Sequence, residues 1–268
     1  MDPPAGLAAL RAAFGARGGV VVGYSGGVDS ALLAQTAHDA LGARALSVTV
    51  DSPSLPRREL AAAEALARER GWRWRAVPAR ELENPLYVAN GADRCFYCRE
   101  EMSAVLRRVA VQEGLATLAM GVHVDDFAEV RPGHAAMRAA GVWFPLLEVG
   151  AGKADVRAMA QALGLKVWDK PAAACLSSRI QHGEPVTVER LRRIEAAEAW
   201  LLDQGFRVVR VRARGQRARV EVGPEEVGRL QGNEPAARAA LIALGFSAVE
   251  IDPLGYRPGA MGAAPLRP

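Results

Sequence analysis

Apolar runs alternate with helix-like patterns in the first two thirds of the chain. The runs are GGVVVGY at 18–24, ALSVTVD at 45–51 and GLATLAMGV at 114–122. Segments with helical periodicity separate them, one of which covers 99–113. Near-continuous apolar strands that alternate with helices are typical of a parallel sheet covered on both faces. We therefore predict an α/β domain with a Rossmann-like parallel sheet over residues 1–183.

The pattern changes after residue 183. An amphipathic helix, a hairpin with a tight Gly-Gln turn, further helical residues and a last strand are predicted at 187–205, 206–222, 224–244 and 246–252. This order of elements differs from the strand and helix alternation that precedes it. A smaller C-terminal α+β domain is therefore predicted over residues 184–268.

Composition excludes little. The chain has 268 residues, 50% hydrophobic and 24% charged, which is ordinary for a globular protein. The net charge of +4 is too small to indicate nucleic-acid binding. The N-terminus lacks a basic region followed by a long apolar core, and no apolar run approaches a membrane span. We expect a cytoplasmic protein, without membrane or nucleic-acid partners, that forms homo-oligomers.

Polar clusters follow the predicted strands. They are the segment 25–30, Asp51, and Asp125 with Asp126. In open parallel sheets, ligands bind beyond the carboxyl ends of the strands. The first domain is therefore predicted to bind a nucleotide, while Asp125 and Asp126 fit a metal site and a turn cap equally well.

The segment 25–30 reads SGGVDS and differs from the Walker and dinucleotide fingerprints. Gly26 and Gly27 allow a sharp turn close to a phosphate, and the helix that follows aims free N–H groups at it. Ser25 and Ser30 can donate hydrogen bonds to phosphate oxygens. Asp29 would repel a bare phosphate, so its presence favours a bridging Mg²⁺. The alternative is a glycine turn that Ser and Asp merely cap.

An apolar strand followed by SGGVDS resembles the PP-loop, or N-type, ATP pyrophosphatases. The resemblance implies that the protein binds ATP through Ser25, Gly26, Gly27, Asp29, Ser30 and Asp51, and cleaves it between the α and β phosphates to adenylate a substrate. The loop indicates the superfamily but leaves the substrate open.

Further stretches are similar to the LarE family of ATP-dependent sulfur transferases, which act in the synthesis of the nickel-pincer nucleotide cofactor. They include RCFYCRE at 94–100, VDDFAEVRPG at 124–133, ACLSSRI at 174–180 and IDPLGYRPGAMG at 251–262. The resemblance implies that a carboxylate of a pyridinium mononucleotide is adenylated and then converted to a thiocarboxylate. Cys175 matches the family cysteine that attacks the acyl-adenylate and gives up its own sulfur. The residues Gln181 and His182 depart from the family pattern.

The chain has three cysteines, and two of them form a CxxC motif at Cys95 and Cys98. In a cytoplasmic protein this motif is typical of a metal, redox or sulfur-handling site. From the residues alone, two buried thiols or a zinc site completed by Cys175 and His182 remain alternatives. The resemblance implies instead a [4Fe-4S] cluster on Cys95, Cys98 and Cys175, with one iron open to carry a sulfide.

Several charged residues match substrate-binding positions of the LarE family. Alternation places Arg210, Arg212 and Arg214 on one face of a strand, where a solvated face is the simpler reading. The resemblance implies that Arg210 and Arg212 hold the substrate phosphate, with Glu198 near that phosphate or its metal. Glu198 in a solvent-exposed position is equally compatible with its spacing. The further substrate contacts that we predict are Arg99 and Arg179, although Arg179 could merely cap a helix.

Two rival functions remain open from the sequence. A PP-loop tRNA thiolase also combines ATP, a CxxC motif and a cluster, and it predicts RNA binding with a steep salt dependence. The chain lacks an obvious aromatic stacking platform for RNA. A non-catalytic sensor of ATP predicts nucleotide binding without pyrophosphate release, which the intact SGGVDS makes the weaker reading.

Overall fold

The protein is described by a computed structural model that covers residues 1–127, 137, 140–171 and 174–257. Parts of two stretches that carry the family resemblance, 128–133 and 258–262, lie outside the described residues. The described part of the chain holds no helix that is long and apolar enough to cross a membrane.

The elements follow each other in an order typical of α/β proteins. The strands are β1 (Val20–Gly23), β2 (Ala45–Asp51), β3 (Trp74–Pro78), β4 (Thr117–Met120), β5 (Val209–Arg214), β6 (Arg217–Val222) and β7 (Ala248–Ile251). The helices are α1 (Pro3–Gly15), α2 (Val28–Leu41), α3 (Arg57–Glu69), α4 (Pro85–Val88), α5 (Arg94–Glu113), α6 (Pro145–Glu148), α7 (Lys153–Ala162), α8 (Val188–Asp203), α9 (Val227–Gly232) and α10 (Glu234–Ala243).

The chain divides into two compact units. Unit one comprises Met1–Asn84 and Asp93–Ala173, and unit two comprises Pro85–Ala92 and Ala174–Pro268. The predicted fold class is confirmed, because unit one is built on a parallel sheet and unit two on a smaller sheet with helices. The domain boundary that the change of pattern indicates after residue 183 stays a prediction.

Unit one contains a four-stranded parallel sheet in the order β3-β2-β1-β4. Alternating side chains of β1 enter two cores, as the period of a strand requires. Val20 and Val22 pack with apolar side chains of α1, α2 and α7, whereas Val21 packs with α5 and β4. Burial on both faces explains why the apolar runs are nearly continuous.

Strand β3 is absent from the predicted elements. It forms an edge of the sheet, and its residues are half-buried or exposed. Arg75 and Pro78 interrupt the apolar pattern by which a buried strand is recognised. The predicted strand at 114–122 is therefore fourth in chain order, and the strand that forms there, β4, is shorter than predicted.

Unit two contains a three-stranded sheet in the order β5-β6-β7. The predicted hairpin is confirmed, since β5 and β6 pair in antiparallel register around a turn at Gly215, whose φ is 54°. Strand β7 adds parallel to β6. Helix α8 begins where the Thr187 side chain accepts a hydrogen bond from the backbone N–H of Arg190, and its apolar stripe is buried through Leu191, Ile194 and Leu201.

Candidate functional site

The turn between β1 and α2 requires glycine. Gly26 has a φ of 76°, a region that favours glycine. A Cβ added there would lie 3.1 Å from the Cβ of Ala63, so α3 also leaves little room for a side chain. Gly27 is the N-cap of α2. The first N–H groups of α2 therefore lie at the carboxyl end of β1 without a side-chain cap, an arrangement that binds anions.

Two serines brace this turn. The Oγ of Ser30 accepts a hydrogen bond from the backbone N–H of Ser25 at 3.1 Å and donates to the carbonyl of Gly27 at 3.0 Å. The Oγ of Ser25 lies 3.2 Å from the Oγ of Ser30. Both hydroxyls thus lie on the loop at the first turn of α2, where the sequence places the phosphates.

Asp29 carries the acidic group of this loop. Its two carboxylate oxygens each accept a hydrogen bond from Nζ of Lys153 at 2.7 Å. His123 lies near the same carboxylate, with Nε2 at 3.9 Å from Oδ1. Gly121 permits this approach, because a Cβ there would lie 3.0 Å from the backbone carbon of Asp29. The chain after β4 therefore packs directly on the first turn of α2.

Asp125 and Asp126 cap backbone groups. Oδ2 of Asp125 accepts from the backbone N–H of Lys153 at 2.6 Å, at the start of α7, and Oδ2 of Asp126 accepts from the backbone N–H of His123 at 3.2 Å. Capping is thus the role that the geometry supports for both carboxylates. Across the described ranges of the chain, His, Cys, Asp and Glu side chains form no group of three arranged to hold a metal ion.

The loop after β2 is held by charged side chains. Asp51 ends the strand and pairs with Arg57 at 2.6 Å, and Arg57 also donates to the carbonyl of Leu55. Deeper in the loop, Ser54 donates to the buried carboxyl of Glu81 at 3.2 Å. Burial raises the pKa of Glu81, while its hydrogen bonds act in the opposite direction. Asp51 is therefore fixed at the carboxyl end of β2, and its contact with ATP stays a prediction.

The CxxC motif forms the first turn of α5. Cys95 is exposed and Cys98 is half-buried. Nη2 of Arg94 lies 3.9 Å from the Sγ of Cys95, and Nη1 of Arg99 lies 3.6 Å from the sulfur of Met102. The predicted third ligand of the iron–sulfur cluster, Cys175, belongs to unit two. The cluster stays a prediction.

In unit two, the backbone of Cys175 is tightly held. Cys175 precedes a short 3₁₀ turn, Leu176–Arg179. Its carbonyl oxygen accepts from the Oγ of Ser178 at 2.7 Å and from Nη1 of Arg179 at 3.0 Å. The thiol side chain is half-buried. The fold therefore fixes the main chain at Cys175 while its side chain keeps access to solvent.

Arg179 and Glu198 form a buried ion pair. Nε of Arg179 lies 2.8 Å from Oε1 of Glu198, and the two side chains are 2% and 9% exposed. Oε1 of Glu198 also accepts from the backbone N–H of Val211 at 2.9 Å. The interpretation of Glu198 as solvent-exposed is wrong, because the opposite charge and the backbone donor satisfy its carboxylate inside the unit.

The arginines of β5 do not form a solvated face. Arg210 is buried, Arg212 is half-buried and only Arg214 is exposed. Arg212 pairs with Glu221 at 3.2 Å, and the guanidinium of Arg210 stacks 4.9 Å from the ring centre of Tyr256. Burial and the nearby positive charge of Arg179 lower the pKa of Arg210. The strand alternates as predicted, but tertiary packing covers most of its polar face.

Breaking the buried pair should destabilise unit two. We expect Glu198→Ala to lower the free energy of unfolding by about 3 kcal/mol, because it leaves the charge of Arg179 buried without an opposite charge. Glu189→Ala on the same helix is the matched control. It removes the pair between the exposed Glu189 and the half-buried Arg193, which should cost about 0.5 kcal/mol. Urea unfolding followed by circular dichroism measures both, and equal midpoints for the two variants would contradict the expectation.

Sequence reasoning missed Lys153 and Lys170. Nζ of Lys170 donates to Glu59 at 2.6 Å and to the carbonyl of Gly26 at 3.2 Å, so both lysines contact the SGGVDS turn. A signal was present: only three of the 34 basic residues are lysines, and all lie between 153 and 170. Because these lysines lie far along the chain from the loop, the sequence did not indicate that they contact it.

Comparisons with known proteins agree with this geometry. Residues 11–90 match the family described as NAD synthase. An uncharacterized protein of Synechocystis is 40% identical over 254 residues, 93% of this chain and 94% of that protein. The pyridinium-3,5-bisthiocarboxylic acid mononucleotide synthase of Lactiplantibacillus plantarum is 33% identical over 243 residues, 90% of this chain and 88% of the enzyme.

These matches and the fold support one classification. The NAD synthase match covers the strand, loop and helix that carry the SGGVDS turn, and the Lactiplantibacillus relative extends the similarity across both compact units. The chain is therefore an enzyme that belongs to the family of the pyridinium-3,5-bisthiocarboxylic acid mononucleotide synthase, the LarE family of PP-loop enzymes.

Proposed function

We propose that this enzyme uses ATP to convert a carboxylate of a pyridinium mononucleotide into a thiocarboxylate. The observation that carries the proposal is the SGGVDS turn, in which Gly27 caps α2 without a side chain and Asp29 lies in its first turn. The relative named for a bisthiocarboxylic acid mononucleotide supplies the substrate class. Its product contains sulfur where a pyridinium-3,5-dicarboxylate would contain oxygen.

In the first step the carboxylate oxygen attacks the α-phosphorus of ATP, and the bond from that phosphorus to the pyrophosphate oxygen breaks. The N–H groups of α2 and the hydroxyls of Ser25 and Ser30 would bind the phosphates. Asp29 would ligate the Mg²⁺ that accompanies the leaving pyrophosphate, and Asp51 would contact the nucleotide. The products are an acyl-adenylate and Mg²⁺-pyrophosphate.

In the second step sulfur replaces the adenylate. The thiolate of Cys175 attacks the acyl carbon, and AMP leaves to give a thioester. Loss of the Cα proton of Cys175 and cleavage of its Cβ–S bond would then release the thiocarboxylate and leave dehydroalanine. This route needs no sulfur source besides the protein and permits a single turnover.

The cysteine pair suggests a renewable source of sulfur. Cys95, Cys98 and Cys175 would together ligate a [4Fe-4S] cluster, whose open iron would supply a bound sulfide. Thiolates suit iron–sulfur clusters, and two of these three lie one helical turn apart at the start of α5. The cluster and the sacrificial cysteine make different predictions, which are compared in the Discussion.

Charged residues of unit two would bind the substrate phosphate. Arg210 and Arg212 are neighbours on one face of β5, and the lowered pKa of Arg210 reflects burial among positive charges. A bound dianion would relieve this repulsion. Glu198 would fix the guanidinium of Arg179 towards the same ligand, and Arg99 is a further predicted substrate contact. A cytoplasmic location and a homo-oligomeric state stay predictions from the sequence.

The function is tested with purified protein, Mg²⁺-ATP and pyridinium-3,5-dicarboxylate mononucleotide. We expect pyrophosphate release that depends on this acceptor, and a product in which mass spectrometry finds one oxygen replaced by sulfur. Nicotinamide mononucleotide, which carries no free carboxylate on its ring, is the matched control and should release no pyrophosphate. Pyrophosphate release that requires tRNA instead of the mononucleotide would contradict the proposal and favour a tRNA thiolase.

A further inference from the structure

Two of the three lysines of the chain contact the SGGVDS turn, and the third does not. Lys153 and Lys170 contact Asp29 and Gly26, whereas Lys166 pairs with Glu69 on the surface, where its side chain is 75% exposed. All other basic side chains except histidine are arginines. A lysine ammonium is a compact charge on a flexible stem and can move between two nearby anions. A lysine at position 153 is therefore suited to move between the carboxylate of Asp29 and a nearby phosphate.

The ammonium of Lys153 occupies the carboxylate that the metal needs. It contacts both oxygens of Asp29 at 2.7 Å, with side chains 34% and 24% exposed. A Mg²⁺ ion bound to Asp29 requires at least one of these oxygens. A metal that binds there would therefore displace the ammonium from at least one of its two contacts.

The backbone of Lys153 is fixed while its side chain can swing. Its backbone N–H donates to Asp125 at 2.6 Å, and the residue begins α7. The anion site formed by the first turn of α2 adjoins Asp29, which is itself the second residue of that helix. An ammonium displaced from Asp29 would therefore be close to a phosphate bound at that turn.

We propose that Lys153 is a phosphate-binding residue whose ammonium pairs with Asp29 until nucleotide and metal bind. Asp29 would then ligate the Mg²⁺ that accompanies the nucleotide, and the ammonium of Lys153 would move to the phosphates. Each charge keeps an opposite partner before and after this exchange. This role rests on the proposed function, in which Asp29 ligates the metal.

The first test measures Mn²⁺ binding without nucleotide by electron paramagnetic resonance. Lys153→Met removes the competing ammonium, so we expect this variant to bind Mn²⁺ about tenfold more tightly than the unaltered protein does. Tenfold corresponds to the free energy of one charge-assisted hydrogen bond. Lys166→Met is the matched control and should leave Mn²⁺ affinity unchanged. Equal Mn²⁺ affinity in both variants would overturn the exchange.

The second test measures inorganic pyrophosphate binding without metal by calorimetry. Asp29→Asn releases the ammonium of Lys153, so we expect this variant to bind pyrophosphate about tenfold more tightly. The gain should disappear in the double variant Asp29→Asn with Lys153→Met. A gain that persists in the double variant would show that removal of the Asp29 charge alone causes it, and would overturn the role of Lys153.

The two ideas fail in different ways. If Asp29→Asn with ATP bound takes up Mn²⁺ as tightly as the unaltered protein does, the metal ligand of the proposed function is wrong, and the exchange fails with it. If Asp29→Asn with ATP bound takes up Mn²⁺ more weakly while Lys153→Met changes neither Mn²⁺ nor pyrophosphate affinity, only the exchange is wrong. Should Lys153→Met fail to fold by circular dichroism, Lys153→Gln, which also removes the ammonium, replaces it in both tests and in the double variant.

Discussion

Acceptor-dependent pyrophosphate release should fall by about 10²–10³-fold when Asp29 is replaced with Asn, the size of effect that loss of one transition-state contact produces. The amide keeps the size of the side chain but loses the negative charge that Mg²⁺ prefers. The N-terminus of α2 and its serine hydroxyls are unchanged, so ATP should still bind the loop. The defect should therefore appear mainly in turnover and in the Mg²⁺ concentration needed for half-maximal rate.

Asp39→Asn is the matched control for this change. Asp39 lies on the same helix, away from the loop, where it accepts hydrogen bonds from Arg11 and Gln35. We expect its rate of pyrophosphate release to match that of the unaltered enzyme in a coupled assay. A rate in Asp29→Asn that also matches the unaltered enzyme, across a titration of Mg²⁺, would refute the assignment of Asp29 as the metal ligand.

Replacement of Cys175 with Ala should separate the two half-reactions. Thiocarboxylate formation should fall below detection, because the thiolate that attacks the acyl-adenylate is missing. Pyrophosphate release should continue, since the SGGVDS loop lies in unit one and Cys175 in unit two. Mass spectrometry of the nucleotide products and a pyrophosphate assay on the same sample measure both. Normal thiocarboxylate yield from Cys175→Ala would show that Cys175 has no role in sulfur transfer.

The variants Cys95→Ser and Cys98→Ser distinguish the two sources of sulfur. If the cysteines hold a cluster, protein purified without oxygen should contain about four iron and four sulfide per chain, and both serine variants should lose the iron and the repeated turnover. If Cys175 is sacrificial, the unaltered protein should be colourless, and both variants should still give one product per chain. The mass of the used protein would then show dehydroalanine at position 175.

Local sequence was enough to predict the SGGVDS turn. A buried strand, two glycines and a helix lie within about 20 consecutive residues, and each follows from short-range preferences, since apolar burial favours the strand and a positive φ favours Gly26. The same holds for the hairpin of unit two, whose turn and alternation are also local. The resemblance of the chain to the LarE family was likewise carried by short stretches, and a relative that spans most of the chain confirms it.

Tertiary packing decided which polar residues are buried. The spacing of Glu198 among apolar helix positions is compatible with burial and with exposure, and it lies inside unit two because Arg179 and the backbone of Val211 satisfy its carboxylate. Arg210 alternates as a solvent-facing residue would, yet it is buried. Periodicity assigns a side chain to a face of its own element, but it does not show what covers that face.

The sequence by itself determined the fold class and the SGGVDS turn, and it indicated Asp29 and the three cysteines as candidate site residues. Only the tertiary structure showed that Lys153 meets Asp29, a contact between residues 124 positions apart. It also revealed β3, whose half-exposed edge position leaves a weak apolar pattern. Short-range preferences fix a turn or a helix within a few residues, whereas contacts across such distances form only when the sheet brings separate segments together.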